Sequence, residues 1–238
     1  SQDSIAQPNV VLNTIVAEAF AEACDVLEKA DDFDKAVDEV IYETLKAHRK
    51  VIFNGNGYSD EWIAEAEKRG LPNVKTMVDA TASLLYPKTI EMFERQHVYT
   101  KTELESRAEI NYEAYAKAIN IEAKTMIEMA SKQYIPAVIS YVTSLADSIN
   151  SISAACAEAD LSVQKDLLTK CSSLLAEAQK ALNDLVAADA KANSMEEGKE
   201  QAEFFKDTVF TTMASLRAPI DKLEMLVDKE YWPVPSYG

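Results

Sequence analysis

Apolar residues recur at steps of three and four along most of the chain, the spacing of one face of an α-helix. Leu12, Ile15, Val16, Ala19, Ala23, Val26 and Leu27 predict a first helix, with Pro8-Asn9 just ahead of it as a start signal. Phe33, Val37, Val40, Ile41 and Leu45 predict a second. It ends in Lys46, His48, Arg49 and Lys50, where cations suit the negative end of the helix dipole. The stretch VIFNGNGYSDEW at 51–62 then makes a glycine turn, and a short helix from about Ser59 to Arg69 follows. Gly70-Leu71-Pro72 breaks that helix. Residues 71–88, bounded by Pro72 and Pro87, are the least regular part, and Lys88–His97 is weakly helical.

From Thr100 the pattern lengthens. Thr100-Lys101-Thr102-Glu103 reads as a capping box ahead of the stripe Leu104, Ala108, Tyr112, Tyr115, Ile119, Ala123, Met126 and Ala130. Pro136 kinks this helix or starts a new one, and the stripe Ile139, Val142, Leu145, Ile149, Ile152 and Cys156 ends near Asp160. Leu168, Cys171, Leu175, Ala178, Leu182 and Leu185 alternate steps of three and four, the heptad pattern of a bundle seam. Ser194-Met195-Glu196-Glu197 offers a second capping box. The last stripe runs Phe205, Val209, Met213, Leu216, Ile220, Leu223 and Val227, closed by Pro233 and Pro235. The expected fold class is therefore all-α: a long antiparallel helical bundle at 100–238 packed with a shorter-helix N-terminal region. No internal repeat or flexible linker interrupts it.

Composition agrees, with 47% hydrophobic residues but only 5 Gly and 7 Pro. Charge narrows the partners. A formal net charge of −16 argues against nucleic acid and against an anionic membrane surface, both of which attract Lys and Arg. Ten acids against two bases between Glu18 and Glu43 read as a solvated outer face. No apolar run is long enough to span a bilayer, and no signal segment opens the chain. Three cysteines, Cys24, Cys156 and Cys171, suit reduced thiols in a cytoplasm, and Cys156 and Cys171 on apolar stripes are expected to be buried and structural.

Candidate chemistry is sparse. A phosphate loop needs G-x-x-x-x-G-K-[ST] or G-x-G-x-x-G, whereas Gly55-Asn56-Gly57 is followed by Tyr58-Ser59-Asp60. Asp60 and Glu61 already occupy the positive end of the next helix. The stretch is expected to be a turn, with Gly supplying positive φ and Ser59 acting as N-cap. Glu94-Arg95-Gln96-His97 is an E-x-x-H, but a di-iron carboxylate site needs two such motifs, and His48 has Leu45 three residues before it. Tyr112, Tyr115, Tyr134 and Tyr141 fall at helical spacing and read as core, with Trp62 and Trp232 as packing anchors. No catalytic, cofactor-binding or metal-binding residue is assigned.

Three stretches carry a resemblance: SIAQPNVVLNTIVAEAF at 4–20, VIFNGNGYSDEWIAEAEKRGLPNVKT at 51–76 and ESRAEINYEAYAKAINIEAKTMIEMA at 105–130. Together with YWPVPSY at 231–237 they resemble the C-terminal portion of type III glutamine synthetases, while 76–88 matches loosely. The resemblance implies an ATP-dependent ligase of nitrogen metabolism that phosphorylates the γ-carboxylate of glutamate and lets ammonia displace the phosphate, forming glutamine. It implies ATP and Mg or Mn for the full-length enzyme, none of them held by this chain, and a homo-oligomer of stacked rings in the cytoplasm. The family's metal- and phosphate-binding residues precede the matched part, so none carries over, and the chain is expected to be a truncated piece. On this resemblance 1–29 is the tail and closing helix of the catalytic domain, 30–99 a short-helix region with the glycine turn, and 100–238 the bundle. The apolar face of 10–29 would then lack its sheet and be covered by self-association or by bundle residues. The competing function is a free-standing acidic interaction module that offers its 168–185 seam to a partner helix. A metal-binding bundle built on Glu94 and His97 is a third.

Overall fold

The computed structural model describes residues 4–235. Ser236 and Tyr237 of the C-terminal motif, and the first three residues of the 1–29 segment, lie outside the described residues. Those described are all-α, and no helix among them is long and apolar enough to cross a membrane. They form two compact units, divided between Ile110 and Asn111.

The first unit contains α1 (Ala6–Leu27), α2 (Phe33–Ala47), α3 (Asp60–Lys68), α4 (Met77–Thr81) and α5 (Pro87–Arg95), together with the start of α6 (Lys101–Met129). Asp32 caps α2 by accepting the Lys35 N–H at 3.2 Å. The capping box at α6 forms as expected: the Glu103 carboxylate accepts the Thr100 N–H at 2.8 Å, and Thr100 Oγ1 accepts the Glu103 N–H at 3.3 Å. The stretch 71–88 is less irregular than its sequence suggests. Thr76 caps α4 by accepting the Asp79 N–H at 3.2 Å, and a 3₁₀ turn spans Ala82–Leu85. This stretch supplies core: Val78, Thr81 and Leu84 are buried, as are Phe93, Leu104 and Ala108.

α1 leaves much of its apolar stripe exposed. Its half-buried or buried positions are Gln7, Val10, Val11, Thr14, Glu18, Ala21, Ala23 and Leu27, most of them on one face and two of them, Ala23 and Leu27, from the apolar stripe. Glu18 on that face accepts from Gln96 Nε2 at 2.7 Å and pairs with Arg95 at 3.1 Å. Leu12, Ile15, Val16 and Phe20 are exposed, Phe20 to 68%.

The second unit is a bundle of three long helices. α6 continues through a π turn at Ala130–Tyr134 into α7 (Ile135–Ala155), α8 spans Ser162–Asn193, and α9 (Lys199–Phe204) continues through a π turn at Phe205–Val209 into α10 (Phe210–Glu224). Pro136 thus neither ends the helix nor begins a separate one. It has no N–H to offer residue 132, and the π turn just before it widens the ladder there. The burial pattern records the extra residue, stepping by five from Ala130 to Ile135.

α8 lies against both α7 and α10, and its stripe Cys171, Ala178, Leu182 and Leu185 is buried in the shared core with Val138, Phe205, Leu216 and Leu223. The heptad seam is internal. An amide network fixes register: Asn120 on α6 and Asn193 on α8 exchange reciprocal side-chain hydrogen bonds at 3.1 and 3.2 Å. Asn193 also donates to the carboxylate of buried Asp189 at 3.1 Å. The second capping box does not form. Ser194 instead ends α8, its hydroxyl donating to the Lys191 carbonyl at 2.7 Å, and Gly198 with φ 135° opens α9. A Gly is needed there because L side chains are strained at that φ. Trp232 is a packing anchor as expected, buried and stacked on Tyr134 at 5.1 Å.

Candidate functional site

The glycine turn is a compact hub, but its glycines act differently from expectation. Neither Gly55 nor Gly57 has positive φ; among the described glycines only Gly70 and Gly198 do. The bend comes from Asn56, whose Oδ1 accepts the Tyr58 N–H at 3.0 Å, and from Ser59, whose hydroxyl donates to the Asn56 carbonyl at 2.9 Å. Ser59 is the N-cap as expected, accepting the Trp62 N–H at 3.4 Å. Gly55 is small for a steric reason: a Cβ there would lie 2.6 Å from the Phe53 ring. That ring stacks on Trp62 at 4.4 Å.

Arg69 ties the hub together. Its Nε donates to Glu65 at 2.6 Å, its Nη1 donates to the carbonyls of Lys50 at 3.2 Å and Ile52 at 2.9 Å, and its guanidinium lies 5.6 Å from the Trp62 ring centre. Arg69 holds Glu65 below the usual carboxylate range through that side-chain hydrogen bond. Gly70, in the left-handed region at φ 68°, then closes α3 with two backbone hydrogen bonds, Gly70 N–H to Glu67 and Leu71 N–H to Ala66.

Glu94 and His97 serve helix ends. The Glu94 carboxylate accepts the Lys101 N–H at 3.1 Å, at the start of α6. His97 is left-handed at φ 55° and terminates α5: its N–H bonds the Glu94 carbonyl, and the Val98 N–H bonds the Phe93 carbonyl. The four-residue motif therefore straddles a helix end instead of lining one helical face. Cys171 is buried, and that burial raises its thiol pKa, whereas Cys156 is exposed, contrary to its place on an apolar stripe. It is the residue just after α7, where the stripe has run out. Among the tyrosines Tyr112 is buried, while Tyr115, Tyr134 and Tyr141 pack partly buried against the core.

A further surface feature is the apolar face of α1. Leu12, Ile15, Val16 and Phe20 are regularly spaced and exposed, more than scattered surface residues would be.

The sequence is similar to that of known proteins of one family. The family profile of the glutamine synthetase C-terminal domain matches residues 36–153. A glutamine synthetase of Butyrivibrio fibrisolvens is 40% identical over 212 residues, covering 87% of this chain and 30% of that protein. The type-3 glutamine synthetase of Dictyostelium discoideum is 32% identical over 243 residues, covering 97% of this chain and 32% of that protein. A glutamine synthetase of Bacteroides fragilis is 28% identical across 96% of the chain. The chain thus spans less than a third of the length of these curated relatives. With these matches, the chain belongs to the glutamine synthetase family, as the C-terminal region of that protein.

Proposed function

We propose that this chain is the non-catalytic, subunit-packing part of a type III glutamine synthetase, itself a homo-oligomer of stacked rings in the cytoplasm. The whole enzyme ligates ammonia to glutamate through γ-glutamyl phosphate, using ATP and Mg or Mn held by residues outside this chain. The exposed apolar face of α1 carries the reading. Leu12, Ile15, Val16 and Phe20 are exposed among the described residues, in a chain that covers under a third of its relatives. Burying such a face is worth about 1.5–3 kcal/mol per large side chain, so it suits a docking helix better than a solvent-facing one. Neither nucleic acid nor a membrane belongs to this reading, in keeping with the net charge of −16.

The test compares glutamine formation from glutamate, ammonium and ATP with Mg or Mn by this chain alone and by its natural polypeptide. The natural polypeptide is expected to turn over and to assemble, and the chain alone is expected not to turn over. Ile15→Asp combined with Phe20→Asp in the natural polypeptide is expected to disrupt assembly and lower turnover. Turnover by the purified chain alone would overturn the non-catalytic role, and unchanged assembly in the double variant would overturn the packing role.

A further inference from the structure

We infer that the recess at the end of α2 is a binding site for a small phosphoryl-bearing anion. The recess, about 580 Å³, is lined by Arg49, Lys50, Ile52 and Arg69. That volume falls within the range of small-molecule sites, about 300–1,000 Å³. Three of its four lining residues are cations and none is an acid, in a chain with 40 acids against 24 bases. The cluster therefore runs against the balance of the whole molecule. Arg69 is already paired with Glu65 at 2.6 Å, so the charge left uncompensated in the recess is that of Arg49 and Lys50, which repel one another unless an anion joins them.

The dipole of α2 does not account for the cluster. Lys46 already occupies the last turn of α2, paired with Glu43 at 3.1 Å, whereas Arg49 and Lys50 lie beyond the helix in the 3₁₀ turn Arg49–Val51. Among the described residues neither Arg49 nor Lys50 has an ion-pair partner. The recess is also built rigidly. Arg69, held by Glu65 and by the Trp62 ring, grips the Lys50 and Ile52 carbonyls and so fixes the backbone that carries the other two cations. Its Nη2 end has no hydrogen bond within the described residues. The guanidinium of Arg49 next to Lys50, with the remaining Nη2 of Arg69, suits the tetrahedral oxygens of a phosphoryl group, and Ile52 offers an apolar wall to whatever the group is attached to. No acid lines the recess where those oxygens would lie, unlike at the start of α3, where Asp60 and Glu61 would repel them.

The site does not rest on the ligase reading, and its test reads one lysine rather than turnover. In the natural polypeptide, the acetylation rate of Lys50 is followed by peptide mass spectrometry at constant ionic strength, with exposed Lys29 as reference. Inorganic phosphate and adenosine monophosphate are the two probes. At least one is expected to slow Lys50 roughly threefold or more while leaving Lys29 unchanged. Arg49→Glu is expected to abolish that protection with the circular dichroism unaltered. Protection by adenosine monophosphate alone assigns the site to a phosphorylated metabolite, and equal protection assigns it to free phosphate. An unchanged Lys50 rate with both probes, or full protection retained in Arg49→Glu, would overturn the inference.

Discussion

Gly55 and Gly57 sit two residues apart in one turn, yet the structure gives them unequal roles. At Gly55 a methyl group would push into the Phe53 ring and drive it off Trp62, whereas at Gly57 nothing lies within 4 Å and the backbone is not left-handed. Gly55→Ala is expected to destabilise the first unit by roughly 1–3 kcal/mol through overpacking. Gly57→Ala is expected to be neutral or to stabilise by up to about 1 kcal/mol, because it restricts only the unfolded chain. Urea titrations of the two variants check the contrast, and equal destabilisation would show that the ring contact is not what makes Gly55 necessary. The sequence places the turn and its N-cap correctly, since Asn56 and Ser59 act on backbone only a few residues away. It does not disclose the reason for Gly55, because that reason is an aromatic ring stacked on a residue of the following helix.

At the level of elements, helix ends carry much of the local specificity. Thr100, first through its backbone N–H and then through its hydroxyl, holds Glu103 below its ordinary pKa of 4.5. A carboxylate with a depressed folded pKa contributes stability above 4.5 and loses it as the pH falls through the folded value. Acidification below pH 4.5 is therefore expected to loosen the start of α6, read as faster amide exchange near Thr100. Glu103→Gln should flatten that pH dependence, since its amide does not titrate; an identical profile in the variant would count against the capping carboxylate. Both the capping box and the buried stripes of α6, α8 and α10 are legible in sequence, because their spacing repeats over many turns. Three features are not. The π turn at Ala130–Tyr134 adds one residue to a ladder whose apolar spacing barely registers it. α4 is only five residues long, too short for periodicity, and its start rests on Thr76 and Asp79. Ser194-x-x-Glu197 has the letters of a capping box without a helix starting at the right residue.

On the scale of the whole molecule, burial is unevenly distributed. α2 and α3 contain no buried residue, whereas α8 and α10 contribute Cys171, Leu185, Leu216 and Leu223 to one continuous core. Amide hydrogen exchange should follow that division, with α2 and α3 exchanging through local opening and the centres of α8 and α10 only through global unfolding. Comparable protection in α2 and α8 would mean that α2 has cover the described residues do not provide. The apolar stripe of α1 is legible in sequence, and what covers it is not. An apolar stripe predicts that something apolar will cover it, but not that the covering residues belong to the same stretch of chain. The connectors at 156–161 and 194–198, finally, determine when things happen as well as where. They join helices that are neighbours in both sequence and space, and such local topologies fold in microseconds to milliseconds. Leu12, Ile15, Val16 and Phe20 stay exposed among the described residues, so under the proposed packing role the interval in which newly made chains can stick to one another is governed by the wait for α1 to be covered, not by the bundle.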